Sequence, residues 1–252
     1  MNLYRKAGLR IAELWFDEEL NGVRVDIIRH IQRAAPIAEG RSARIYTILI
    51  DLSQEPDLLL AKMKRDTRYE IRRAMSKDNL TYQLWTEVTS KLLGQFKLVH
   101  DQFAKQGRLP RRTSIRLERL AQVGGLVLSQ VRNKEGVPLV WHAYYKANDR
   151  VRLLYSISLF HNDDSSQRGL FGRANRYHHW EDILAFRVQG IRVYDLGGWY
   201  GGGSDKKKLS INRFKEEFGG EIVLNYNCQS GLTFAGKAAI WLYERMRPEH
   251  QS

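Results

Sequence analysis

Residues 125–160, GLVLSQVRNKEGVPLVWHAYYKANDRVRLLYSISLF, decide the fold class. They divide into three runs rich in aliphatic and aromatic residues, GLVLSQVRN, GVPLVWHAYYKAN and DRVRLLYSISL, joined by Asn133-Lys134-Glu135-Gly136 and by Asn148-Asp149. Connections this short join strands that run antiparallel, because a parallel return needs a crossover of a dozen residues or more. The stretch predicts a three-stranded antiparallel meander.

Downstream of the meander the period changes. Leu170, Ala174, Tyr177, Glu181, Leu184 and Val188 fall on one line, with Phe171, Trp180 and Ile183 beside it, which predicts a helix over about 168–189 stopped by Gly190. IRVYDL (191–196) reads as a short buried strand, and the glycine-rich GGWYGGGSD (197–205) as a loop. A helix over 208–218 ends at Gly219-Gly220, EIVLNYN is a last strand, and 233–246 is a C-terminal helix. Upstream, Val88, Leu92, Phe96, Val99 and Phe103 mark an amphipathic helix over 88–106, with a shorter one over 113–122. NLTYQLWT (79–86) is strand-like, and helices over 56–64 and 65–76 follow a Ser53 cap and Pro56. LRIAELWF, VRVDIIRHI and RIYTILIDL in the first 52 residues are further strands. The order predicts an α+β fold: a mixed, largely antiparallel sheet of about seven strands, flanked by helices on both faces.

Composition excludes several classes. Of 252 residues 43% are hydrophobic, enough for a substantial core, so disorder driven by composition is excluded. One cysteine, Cys228, forbids an intramolecular disulfide framework and an all-cysteine zinc site. No run of 18 uncharged apolar residues predicts a membrane span, and the first 20 residues lack a signal-peptide core, so a cytoplasmic location is expected.

The net charge of +13 is unevenly placed: segments 62–78, 105–119 and 203–215 together hold the whole excess. Clusters of this kind suit a phosphate-bearing partner. Arg68, Arg72, Arg73, Lys206, Lys207 and Lys208 are the docking candidates.

Residues that can carry chemistry follow. Gln167, Arg168, Gly169, Gly172 and Arg173 stand where the meander gives way to the long helix, and a glycine-containing helix start suits a phosphate. His142, mid-strand and opposite in facing to Trp141 and Ala143, is the candidate base for an attacking amine, with Tyr144 and Tyr155 as possible acids. Asp195 ends a buried strand, where a carboxylate must be hydrogen-bonded or used: capping the loop 197–203, orienting Lys215 or acting as a base. His178 with Glu181, or His179 with Asp182, has the i,i+3 spacing of a metal pair; no third ligand is apparent, and helix-surface ion pairing is the expectation, so no metal is called for. Neither a G-x-S-x-G elbow nor a Walker loop is present.

Tyr194-Asp195-Leu196-Gly197-Gly198, followed by Arg213-Phe214-Lys215-Glu216-Glu217-Phe218-Gly219-Gly220, resembles the C-terminal signature of the FemABX transferases and their BioF2-like relatives. KRDTRYEIRRA (64–74) resembles that family's R-x-x-I-R-x-A helix, and the 167–173 stretch loosely resembles the loop that grips CoA in GNAT acetyltransferases. The resemblance covers about residues 55–225. It implies a GNAT-type fold, with residues 1–55 a reduced N-terminal subdomain and 56–252 the transferase domain. It also implies transfer of an acyl group from acyl-CoA or an acyl carrier protein, or of an aminoacyl group from aminoacyl-tRNA, to an amine of an amino sugar, amino acid or peptide. Phe214 and Lys215 match the positions implicated near the reactive end of the donor. No inserted helical arm is visible, which favours a small acceptor. A nucleic-acid-binding module using the same basic segments is the non-enzymatic alternative.

Overall fold

The computed structural model describes residues 1–105, 114–159 and 165–246. Ten strands and seven helices occur among them, in two compact units, Met1–Thr47 with Val223–Ser252 and Ile48–Ile222. The chain is α+β with mostly antiparallel pairing, as expected, but richer in strands than the seven or so predicted.

The first unit holds β1 (Asn2–Lys6), β2 (Leu9–Trp15), β3 (Ile27–Arg33), most of β4 (Arg41–Asp51), most of β10 (Glu221–Gly231) and α7 (Phe234–Arg245). Its strand order is β1-β2-β3-β10-β4, antiparallel at β1–β2 and β3–β10 and parallel at β2–β3. Residues 11–15 of β2 are buried in succession, so both of its faces are covered, and Ile27 opens β3 in the same core. β1 escaped prediction because its five residues, NLYRK, carry no apolar alternation and leave Leu3 exposed. Strand-edge pairing with β2, not its own pattern, makes it a strand.

The second unit contains α1 (Pro56–Lys62), α2 (Arg65–Lys77), β5 (Thr81–Trp85), α3 (Ser90–Lys105), α4 (Ser114–Gln122), β6 (Leu126–Arg132), β7 (Pro138–Ala147), β8 (Arg150–Ser158), α5 (Ser165–Val188), β9 (Val193–Trp199) and α6 (Lys206–Glu216). Its order is β4-β9-β8-β7-β6-β5. The predicted meander is β6-β7-β8, antiparallel throughout, and β9 joins it parallel to β8.

Alternation along β7 serves two faces. Trp141 stacks on Trp85 and meets Phe96 of α3 edge-on, whereas Tyr144 packs against Phe186 of α5. Val127, Tyr144 and Val151 join Trp180, Ile183 and Phe186 of α5, Ile71 of α2 and Phe218 in one buried cluster. Each such side chain contributes about 1.5–3 kcal/mol on burial, so α5 is fixed on the sheet by apolar packing before any polar contact is counted.

Two glycines explain the motifs that contain them. Gly219 has φ +77°, and a Cβ there would collide with the Lys62 carbonyl, so α6 can turn into β10 beside the end of α1 only with glycine. Gly197 has φ +76°, and its Cβ would lie 2.9 Å from the Leu153 carbonyl oxygen of β8.

Candidate active site

A cavity of about 650 Å³ opens beside β8 and β9. The two strands pair over only three positions, Arg150 with Val193, Val151 with Tyr194 and Arg152 with Asp195. Beyond them Leu153–Ser156 of β8 and Leu196–Gly198 of β9 line the opening, and Lys207, Ser210, Ile211, Phe214 and Lys215 of α6 form another wall. Four consecutive residues of a regular strand cannot share a face, since side chains alternate. A register shift opposite Ala143 and Tyr144 leaves Leu154 as an extra residue in β8, and this bulge turns the strand toward the cavity.

Asp195, fully buried, pairs with Arg150 at 2.6 Å and accepts the Gly197 N–H at 2.7 Å. It also lies 3.9 Å from the Arg152 guanidinium. It thereby fixes the turn whose next carbonyl, that of Gly198, accepts from Lys215 Nζ at 2.6 Å. Burial first, and then the Arg152 charge, lower the Lys215 ammonium to about 8, with Asp195 opposing them. Trp199 Nε1 donates to Glu216 at 2.6 Å, and Asn212 clamps the backbone of Tyr200 from both sides, at 2.9 and 2.8 Å. Asp205 caps α6 by accepting the N–H groups of Lys207 and Lys208. The glycine-rich loop is thus tied to α6 at both ends.

Behind the cavity, under α5, lies a buried polar network. Asp182 accepts from Tyr144 at 2.6 Å and from Tyr82 at 2.8 Å, and its Oδ2 is 2.8 Å from His142 Nδ1. His142 Nε2 meets Asn175 Oδ1 at 2.9 Å, and Ser129 Oγ lies 2.7 Å from His178 Nε2. Tyr194 Oη lies 2.7 Å from both Tyr144 Oη and His179 Nδ1. Burial and neighbouring positive groups hold His178 and His179 well below the usual imidazole range, so both are neutral at pH 7. Burial and the Asp182 charge raise the Tyr144 and Tyr194 hydroxyls.

Sequence spacing placed these histidines on a helix surface; the structure overturns that, for His178, His179 and Asp182 are all buried. The third group absent from the helix spacing comes from β7: donor atoms of His142, His178 and Asp182 lie within 4.8 Å of one another. They are close enough for a cation but poorly aimed for one. The His142 and His178 rings stack face to face, 3.7 Å apart and 4° from parallel, so their in-plane lone pairs do not converge, and Ser129 and Tyr144 already engage the ring nitrogens. The donors serve one another.

The remaining sequence candidates separate. Lys215, Phe214 and Lys207 line the cavity. His142 does not; Asn175 and His179 of α5 do. Gln167, Arg168, Gly169, Gly172 and Arg173 form no loop, since all lie within α5, and Arg173 makes a two-pronged pair with Asp78 at 2.6 and 3.0 Å. Arg68 donates to the carbonyls of Ala61 and Met63, closing the end of α1, whereas Arg72 and Arg73 line a surface depression with Tyr69. Lys208 lies over the Tyr200 ring at 4.7 Å, and Lys206 opens α6. Most of segment 105–119 falls outside the described residues, but Arg116 reaches the cavity wall. Sequence reasoning missed Arg152 and Asn175, and it gave His179 a helix-surface role rather than a place at the cavity. The parallel β8–β9 pairing that brings them together has no local signature.

No family model and no curated protein matches the chain. Among solved structures it is similar to FemX, with a TM-score of 0.57 at 15% identity, over 79% of this chain and 63% of that one. It is also similar to the C-terminal DUF2156 domain of a protein from Agrobacterium fabrum named as a lysylphosphatidylglycerol synthetase, with a TM-score of 0.55 at 15% identity over 86% and 72%. A tandem GNAT protein from the clavulanic acid biosynthesis pathway aligns with a TM-score of 0.41 at 10% identity. The chain spans less than two thirds of the FemX length. Its fold is that shared by FemX and the DUF2156 domain.

Proposed function

We propose that the chain is an N-acyltransferase that moves an acyl group from a thioester, on CoA or an acyl carrier protein, to a substrate amine by direct attack. The observation that carries this reading is the parting of β8 from β9 into a cavity walled by the half-buried cation Lys215. Parted strands present two strand edges, against which an extended amide-containing chain such as pantetheine can hydrogen-bond. A volume of about 650 Å³ is that of a small-molecule pocket rather than a trough for a folded RNA. Phe214, Leu153, Leu196 and Ile211 give the acyl group apolar walls, and Lys207 and Arg116 supply positive charge for donor phosphates. No helix among the described residues is long and apolar enough to cross a membrane.

In the reaction the amine nitrogen attacks the carbonyl carbon and negative charge develops on the carbonyl oxygen. The Lys215 ammonium, positioned through Gly198 and Asp195, neutralises it. The tetrahedral species then expels the thiolate. No cysteine or serine nucleophile enters this scheme. The lone cysteine, Cys228, is buried against Ser42 in the first unit.

Purified protein is offered acetyl-, octanoyl- and palmitoyl-CoA with a panel of amino acids and amino sugars, and thiol release is followed. Amine-dependent release, lost in Lys215→Met, is the expected result. Release from none of the three, with transfer instead from charged tRNA, would assign the donor to the Fem-type alternative; salt-sensitive RNA binding without any turnover would leave a nucleic-acid-binding module.

A further inference from the structure

We propose that His179 takes the proton of the attacking amine, and that Tyr194, Tyr144 and Asp182 hold its imidazole in the tautomer this requires. The proposal rests on the acyl-transfer reading and names the base within it.

The directions along the chain from Asp182 through Tyr144 and Tyr194 to His179 follow from its carboxylate end. A carboxylate only accepts. Tyr144 donates to Asp182 Oδ2 at 2.6 Å, which commits its one proton. The 2.7 Å contact between Tyr144 and Tyr194 must then be filled by the Tyr194 proton. With that proton committed, Tyr194 Oη can only accept from His179 Nδ1, 2.7 Å away, so Nδ1 carries the hydrogen. His142 does not reverse the chain. Its Nδ1 also lies 3.0 Å from Tyr144 Oη, but it stands 2.8 Å from the same carboxylate oxygen and donates there. His179 Nε2, on the opposite edge of the ring, is left with its lone pair.

Position separates the two histidines as well. His179 lines the cavity with Asn175, Phe214 and Lys215. His142 has both ring nitrogens engaged, by Asp182 and Asn175, and is absent from the cavity wall. Phe214 and Phe218 flank the His179 ring, with centroids at 5.7 and 4.9 Å, and fix its plane. Burial and the nearby Lys215 and Arg176 charges keep the imidazole neutral before reaction, the form able to accept a proton.

The amine enters as the free base. Its lone pair forms the N–C bond while the carbonyl π pair moves to oxygen. Nε2 then takes a proton from the nitrogen, and the resulting imidazolium is stabilised through the two tyrosines by the Asp182 carboxylate. The oxygen pair re-forms the C=O bond, and the leaving sulfur departs with the C–S bonding pair. The sulfur receives the proton from Nε2, and His179 returns to its starting state. Tyr194 and Tyr144 are positioning residues.

Long-range proton–nitrogen spectra of protein labelled at histidine nitrogens, with His179 assigned by comparison with His179→Gln, read the tautomer without any substrate. The expected result at pH 7 is hydrogen on Nδ1, with the preference weakened in Tyr194→Phe; hydrogen on Nε2 overturns the proposal. In the thiol-release assay, with whichever acyl-CoA the wild type accepts, His179→Gln should lower kcat by about 10²–10³-fold with the donor KM unchanged. Tyr194→Phe should lower kcat and shift its pH profile, again without moving KM. Wild-type kcat in His179→Gln overturns the proposal. A wild type that turns over neither acyl-CoA nor acyl carrier protein thioesters overturns the acyl-transfer reading and the base assignment with it, while the spectrum still decides whether the relay exists.

Discussion

The network under α5 and the cavity wall lie side by side and are built on opposite terms. In the network, donors and acceptors alternate: Tyr82, Tyr144 and His142 converge on one carboxylate, and Tyr194 links them to His179. On the wall, the described lining residues include Arg116, Arg152, Lys207 and Lys215 but no carboxylate, with Asp195 set behind them. A region whose polar groups satisfy one another stabilises the fold. A region that gathers like charge at a cavity is strained until something anionic arrives. Substitutions in the network should therefore act first on stability, and substitutions in the wall on turnover.

The largest effect should come from Asp182→Ala. It strips two buried donors, Tyr144 and His142, and the half-buried Tyr82 of their acceptor at once, and removing one partner of such a set costs about 3–5 kcal/mol. Urea denaturation followed by circular dichroism measures it. A loss under about 1 kcal/mol would mean the network contributes little, and the contrast between the two regions would collapse. Acid should attack the same place. His178 and His179 are depressed in the folded chain below the usual 6.5, so the unfolded chain binds more protons beneath that value. Stability from these two groups is complete above about 6.5 and declines as pH falls. The urea midpoint should drop between pH 7.5 and 5, and a flat profile would contradict their burial as neutral rings.

Next comes Lys215→Met, expected to lower kcat by about 10²-fold while leaving the fold intact. The pH behaviour sharpens this. The Lys215 ammonium loses its proton at about 8, below its ordinary value, so a rate that needs the cation falls as pH rises through 8. Lys215→Arg should extend activity to higher pH, because a guanidinium keeps its charge. The stability sign is opposite: between about 8 and the ordinary lysine value the unfolded chain holds the extra proton, so wild type gains on Lys215→Met as pH rises across that window. Lysine to methionine without loss of turnover would move the oxyanion role elsewhere.

The contrast also marks what could be read in advance. The meander was legible because β6, β7 and β8 are joined by turns of a few residues, so neighbours in sequence are neighbours in space. Lys215 and Phe214 were legible because their motif is local, and Gly219 stands beside them for a steric reason that any similar turn would share. The network was not legible. His142, Asp182 and Tyr194 come from three elements brought together by α5 and the parallel β8–β9 pairing, and the run His178-His179 shows nothing of which ring faces inward. The 167–173 stretch misled for the converse reason. Glycines suggested a loop, yet Gly169 and Gly172 sit in a helix whose place is set by Phe171, Ala174, Trp180 and Ile183 packing below it. Tertiary burial overrode the local preference.

Asn212→Ala should give the smallest effect and the finest test, because Asn212 belongs to both regions in character: buried and satisfied like the network, yet serving the wall. Its amide holds the Tyr200 N–H at 2.9 Å and the Tyr200 carbonyl at 2.8 Å, which fixes the loop after Gly198 against α6. Losing two such bonds costs about 1–2 kcal/mol, partly recovered by water at a half-open site. If the loop matters only as a connection, urea midpoints shift by that amount and kinetics stay unchanged. If it shapes the donor site, the donor KM rises several-fold at constant kcat, because Lys215 keeps its own anchor on Gly198 while the wall beside it loosens. The second pattern is the expected one. A fall in kcat instead would show that the loop also positions Lys215, and would join the two roles that the wall otherwise keeps apart.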